Sequence, residues 1–196
     1  MGQAGEWPAR DKEEIILGAI LVQNTRWENV QLTIAQLRQA FPSSYKDLHT
    51  LEPEYLMDLI RPSGFFKNKS KSIQSVLSWL AQFEFDYSRI KSHYGSQLRK
   101  QLLSLFGIGE ETADVLLLYV FDQPVFIADS YARKLFAHLN LGHYETYKDL
   151  KGAVEPFDFS LEEAQKFHYY IDEFGKKVFA KGESFQTSFL GDFRLE

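Results

Sequence analysis

Apolar residues recur at three- and four-residue spacing along almost the whole chain, and this helical period is its strongest constraint on fold. Ile15, Ile16, Ala19 and Ile20 follow Asp11-Lys-Glu-Glu14, a capping-box pattern that opens a helix. Thr25-Arg-Trp-Glu28 repeats the pattern and predicts a second helix to about residue 40. Pro53 suits the first turn of a short helix, and Pro62-Ser-Gly64 breaks it. Residues 68–83 carry Ile73, Val76, Leu77 and Leu80 on one face. Further helices are expected over 96–105 and 110–121, and from a cap at Asp129 to about 141. Thr146-Tyr-Lys-Asp149 and Ser160-Leu-Glu-Glu163 cap two more, the last running to about 180. Val125-Phe-Ile-Ala128 is a short β-type run with nothing obvious to pair with. The expected class is all-α, with helices packed as two lobes flanking a groove.

A chain of 196 residues makes one large domain or two small ones. It has no cysteine, which excludes disulfides, thiolate-held zinc or iron–sulfur clusters and a cysteine nucleophile. The longest apolar run, around 15–22, falls well short of the roughly 20 residues a membrane helix needs. The start, MGQAGEWPARDKEE, lacks the regions of a signal peptide. A soluble cytoplasmic protein without membrane contact is expected.

Net charge is −5, from 22 basic and 27 acidic residues, which does not advertise nucleic-acid binding. The average hides local asymmetry. Arg61-Pro-Ser-Gly-Phe-Phe-Lys-Asn-Lys-Ser-Lys71 holds four basic residues and no acid. A local basic patch on an acidic chain suits a phosphate-binding face.

Leu105-Phe-Gly-Ile-Gly-Glu-Glu-Thr-Ala113 ends one helix and starts another. Glycines allow positive φ and close backbone approach. Amides of Gly107, Ile108, Gly109 and the first helical turn, which includes Thr112, would point outward together and favour an anion. A DNA phosphate fits, directly or through a bridging monovalent cation at the hairpin. A plain corner with a glycine C-cap fits equally well on these residues alone.

The chain beyond the hairpin separates the two readings. Asp129 comes 18 residues after Glu111, in Ile127-Ala-Asp-Ser-Tyr-Ala-Arg133. Together these segments resemble the HhH-GPD, endonuclease-III-like DNA glycosylase superfamily. There a hairpin L-x-G-I/V-G-x-x-T-A leads, through an apolar helix and a proline, to a V-D-T/S-H/Y-x-x-R segment whose Asp is catalytic. Leu105, Gly107, Ile108, Gly109, Thr112 and Ala113 complete the hairpin, Pro124 is the proline, and Asp129 and Arg133 mark the acidic segment. Leu17-Gly-Ala-Ile-Leu-Val-Gln-Asn-Thr25 resembles the family's first helix and loop, and residues 61–71 resemble its G-F/Y-F/Y-x-x-K-A/S loop. The match spans roughly residues 13–141. It implies a six-helix barrel lobe at about 9–122, with the helix-hairpin-helix near 98–121. A second helical lobe would come from 1–8 and 123–196 and carry the catalytic Asp.

The sequence departs from the family pattern twice. Bifunctional members carry a Schiff-base lysine just before Thr112, where this chain has Glu111. The four-cysteine cluster loop is also absent, and Phe174-Gly-Lys-Lys-Val-Phe-Ala-Lys-Gly-Glu-Ser-Phe185 stands in its region. Both departures resemble the cluster-free 3-methyladenine branch, as do Trp7-Pro8 and Leu21-Val-Gln-Asn-Thr-Arg-Trp27. That likeness places Trp27, Trp7, Pro8 and Glu111 at a base pocket. It also implies a carbamylated structural lysine at Lys181, or at its neighbours Lys176 and Lys177.

The resemblance implies a monofunctional glycosylase that extrudes a damaged base from double-stranded DNA, acts as a monomer near the nucleoid and uses no cofactor. Gln23 is the expected wedge filling the gap left by the base. Asp129 stabilises positive charge growing on the deoxyribose and orients water. A cationic alkylated purine leaves easily, so stacking and cation–π contact with an indole suffice to recognise it. Lys67 and Lys69, with Lys71, are candidate phosphate contacts. His138 and His168 have no partner at metal-ligand spacing and read as ordinary core or surface residues. Two alternatives are an adenine- or thymine-mismatch glycosylase of the same fold and a non-catalytic damage-binding module.

Overall fold

The computed structural model describes residue 5, residues 7–180 and residues 184–193. Its contacts divide the chain into two compact units, Pro8–Phe121 and Met1–Trp7 with Asp122–Glu196. The described residues form helices, turns and irregular segments, with no strand. Val125-Phe-Ile-Ala128 is irregular and pairs with nothing as a strand.

The Pro8–Phe121 unit holds α1 (Lys12–Leu21), α2 (Trp27–Ala40), α3 (Pro53–Ile60), α4 (Phe66–Ala81), α5 (Tyr87–Tyr94), α6 (Leu98–Ser104) and α7 (Glu110–Tyr119). α1 and α7 pack together and are buried on nearly every face, which explains their apolar composition. Leu17, Ile20, Leu37, Leu56, Ile60, Leu77, Leu80, Leu98, Leu102 and Leu118 form a core with no exposed surface. Lys12 Nζ ties the start of α1 to the Val120 carbonyl at 2.6 Å, just past the end of α7.

Four local expectations change. Asp11 caps α1, accepting from the Glu14 amide at 2.8 Å, but Glu14 does not return the bond. Its carboxylate is buried and takes the Arg10 amide, the Arg38 guanidinium and the Tyr45 hydroxyl. Burial opposes its charge, and these donors outweigh burial, so its pKa lies below the ordinary carboxylate value. α2 begins at Trp27 after an uncapped Arg26, and Thr25 Oγ1 accepts from the side-chain Nδ2 of Asn29 at 3.0 Å instead of from a backbone N–H. α4 begins two residues early, at Phe66. α5 has no counterpart among the expected helices. Asp86 caps it by accepting from the Arg89 amide at 2.9 Å.

The other unit holds α8 (Ser130–His138), α9 (Tyr147–Val154) and α10 (Leu161–Gly175), then a π-helical turn at Lys176–Ala180. Both expected capping boxes close reciprocally, Thr146 with Asp149 and Ser160 with Glu163. Phe126, Ala128, Ala132, Leu135, Leu150, Ile171, Val178 and Phe185 form its core. The His138 ring stacks on Phe185 with centroids 4.4 Å apart, a packing role. Lys181 lies outside the described residues. Lys176 pairs with Asp172 at 2.5 Å and Glu173 at 3.2 Å, surroundings that suit an ammonium and oppose an anionic carbamate.

Candidate functional site

One side of α4 organises three loops. Lys69, Ser72 and Ser75 recur every third residue along this helix and therefore point to one side. Lys69 Nζ donates to the Leu21 carbonyl at 2.8 Å, where α1 ends, and to the Ser63 carbonyl at 2.7 Å. Ser75 Oγ accepts from the Phe106 amide at 3.2 Å. Ser72 stands so close under the hairpin that a Cβ on Gly107 would fall 1.8 Å from its Oγ.

The two hairpin glycines are needed for different reasons. Gly107 has φ +75°, so it needs both the left-handed region and the missing side chain. Gly109 has φ −88° and open space around a built Cβ. It therefore matters only for what approaches from outside. Ile108 corrects the phosphate reading, because its amide donates to the Leu105 carbonyl at 3.2 Å and its side chain is buried. The amides at the start of α7 are left without intrahelical partners, as in any α-helix. Glu110 and Glu111 in that first turn compete with an anion. Arg99 offsets part of their charge, 3.7 Å from Glu110 and bonded to buried Asp114 at 2.7 Å.

Gln23 is docked on the hairpin. Its Nε2 donates to the Gly107 carbonyl at 3.2 Å and to Thr112 Oγ1 at 3.0 Å. This explains Thr112 without a phosphate contact for its hydroxyl. For a bridging cation the hairpin offers neutral carbonyls, and those of Leu105 and Gly107 already accept hydrogen bonds. Trp27 is half-buried at the first position of α2, and Glu111 is exposed at the second position of α7.

Two lysine expectations separate. Lys67 is exposed and free to meet a phosphate. Lys69 is 2% exposed, and burial lowers its pKa to about 8, so it is no phosphate contact. The same loop holds a residue that the sequence reading passed over. Phe65 is 66% exposed and has φ +47°, a left-handed conformation that phenylalanine rarely adopts. The signal was present as Gly-Phe-Phe, but nothing local shows which ring faces out. Phe66 packs under the Arg61 guanidinium, and Phe65 is turned away.

Asp129 belongs to the other unit. It caps α8, accepting from the Ala132 amide at 2.7 Å, and is 8% exposed. Arg133 Nη1 donates to the Ala128 carbonyl at 2.9 Å and braces the chain that leads into the cap. Trp7 is half-buried in this unit, while Pro8 is exposed and begins the other one. Among the described residues no group of His, Asp and Glu is placed to hold a metal ion.

Residues 17–157 match the family model of the HhH-GPD superfamily base excision DNA repair proteins. The chain belongs to this superfamily. A Methanocaldococcus jannaschii protein assigned as a DNA repair glycosylase is 32% identical over 189 residues, covering 92% of this chain and 84% of its own. Among solved structures, the H. pylori 3-methyladenine DNA glycosylase bound to 1,N6-ethenoadenine superposes with a TM-score of 0.74. It is 28% identical and covers 90% of each chain. A trapped endonuclease III–DNA covalent intermediate, 20% identical, covers 89% of this chain and 79% of that one with a TM-score of 0.72, and shows the fold. The resemblance carried by the hairpin and the acidic segment therefore holds. This HhH-GPD protein is a DNA glycosylase of base excision repair, and without cysteine it cannot hold a cluster through thiolates.

Proposed function

We propose that this glycosylase hydrolytically releases an alkylated purine of the 3-methyladenine type and leaves the abasic strand intact. The likeness to the 3-methyladenine glycosylase over 90% of both chains carries the substrate reading. Glu111 carries the second part. A carboxylate cannot form a Schiff base with the sugar, so this position supplies no lyase chemistry.

The side chains then divide the work. Asp129 presents its carboxylate to the sugar as the N-glycosidic bond breaks. The Ala132 amide holds one of its oxygens, so little reorganisation is needed as charge develops. The same carboxylate orients the attacking water and takes its proton. Trp27 stacks on the extruded purine, with Pro8 and Glu111 as further pocket residues. Backbone amides at Gly109 and the start of α7, with Lys67, hold phosphates. Gln23 exchanges its two hairpin bonds for the space left by the base, and Phe65 enters the stack beside it. No step runs through a metal ion.

Mass spectrometry of bases released from dimethyl-sulfate-treated DNA tests the substrate reading. Release of methylated purines is expected, with strand breaks only after alkali. Release of neutral bases alone would overturn the alkylation reading, and strand breaks without alkali would overturn the monofunctional one.

A further inference from the structure

The burial of Lys69 is explained neither by the fold nor by the proposed chemistry. A lysine in the first turn of a helix opposes the helix dipole. An ammonium removed from water is costly unless it is well paired. Lys69 has both handicaps, and the partners that the structure gives it are two backbone carbonyls. Both belong to chain ends that favour a cation. Leu21 closes α1, and Ser63 closes the 3-10 turn Arg61–Ser63. Last-turn carbonyls lack intrahelical donors and carry the negative end of the dipole.

Each carbonyl stands at the root of a loop. Gln23 comes two residues after Leu21, and Phe65 two residues after Ser63. Leu21 lies 48 residues from Lys69 along the chain, so no local turn sets its place relative to the Phe65 loop. Within the packed helices, the Lys69 nitrogen links the two roots directly. Phe65 already has a left-handed backbone, and Gly64 before it has φ +66°, so this loop leaves Ser63 by a narrow path.

We propose that Lys69 is a positioning residue that holds the roots of the Gln23 and Phe65 loops at one separation, so that both side chains enter the DNA stack together. This rests on reading those two side chains as inserted. Lys69 itself touches no DNA. Its flexible stem and compact ammonium reach both carbonyls, which a methionine of similar length cannot bond.

The test uses the full chain and a duplex carrying 2-aminopurine beside a tetrahydrofuran abasic analogue. The fluorophore brightens when an inserted side chain unstacks it, without any base release. Wild type should give a rise at saturating protein. Lys69→Met should give less than about a third of that rise while binding the duplex within about threefold of wild type. An equal rise in Lys69→Met overturns the positioning role and leaves the insertion reading standing. No rise in wild type overturns the insertion reading and the positioning role with it. Should Lys69→Met fail to fold, Lys69→Gln, whose shorter amide reaches one carbonyl at most, carries the same test. A reduced rise supports the proposal, and a full rise overturns it.

Discussion

At the scale of single residues, the Asp129 helix cap was legible in the sequence, and the burial of Lys69 was not. The Asp129 cap is a bond to an amide three residues away, so the cap could be read from the pattern before any fold was known. Its proposed catalytic task gives a first prediction. Asp129→Asn keeps an oxygen for the Ala132 amide but loses the charge, so base release should fall by about a hundredfold or more. Single-turnover excision checks this, and undiminished excision would remove Asp129 from the chemistry. Trp27 gives a second prediction. Base–aromatic stacking contributes about 1–3 kcal/mol, so Trp27→Ala should lose roughly tenfold to a hundredfold on a methylated purine. Trp27→Phe keeps a ring face and should retain most activity. Wild-type rates in Trp27→Ala would place the stacking elsewhere. Charge and surroundings in the sequence do not show that Lys69, unlike Lys67, is buried, because its burial involves a carbonyl 48 residues away.

At the scale of elements, the hairpin shows how two glycines in one motif can have unlike roles. In Gly107→Ala the new Cβ meets Ser72, and φ is +75°, so this variant should melt at a lower temperature. Gly109→Ala adds a Cβ in open space at an ordinary φ, so the fold should hold. Its methyl group projects where a phosphate would approach. It should weaken binding to all DNA sequences alike and flatten the dependence of affinity on salt. A melting curve and a salt titration for each variant check both expectations. A wild-type salt slope in Gly109→Ala would make the hairpin a corner and nothing more. Helix starts divide along similar lines. The boxes at α9 and α10 close as their four-residue patterns imply. The matching pattern at α1 does not close, because Arg38 and Tyr45, 24 and 31 residues away, take the carboxylate first.

At the scale of the whole molecule, stability should depend on pH through His168. It lines a small apolar cavity with Val125, Phe126, Phe157, Phe167 and Ile171. Burial, with the nearby Lys176 charge, lowers its pKa from 6.5 to about 4. Between these values the unfolded chain binds the proton more readily than the folded one. Stability should therefore be lost as pH falls from about 6.5 towards 4, and His168→Phe should lessen that loss. Thermal melting across this range checks it, and an unchanged slope in the variant would assign the acid sensitivity to other groups. The whole enzyme should also resist trapping on damaged DNA by borohydride, because Glu111 offers no amine. A covalent adduct would show that another amine has taken over, and Lys67 is the first to replace.

The sequence by itself determined the helical class, most of the caps, the hairpin and the acidic segment, because each is written in residues within about four positions of one another. Hydrogen bonds at that range can form from neighbouring residues alone, unless a distant group takes one partner first, as at Glu14. Tertiary structure alone decided that Glu14 serves Arg38 and Tyr45, that Gln23 rests on the hairpin, that Phe65 and not Phe66 faces outward, and that Lys69 is buried between two loop roots. Those outcomes depend on which distant groups reach a side chain before water does. That competition is settled by packing, where an unpaired buried polar group costs more than any local preference supplies.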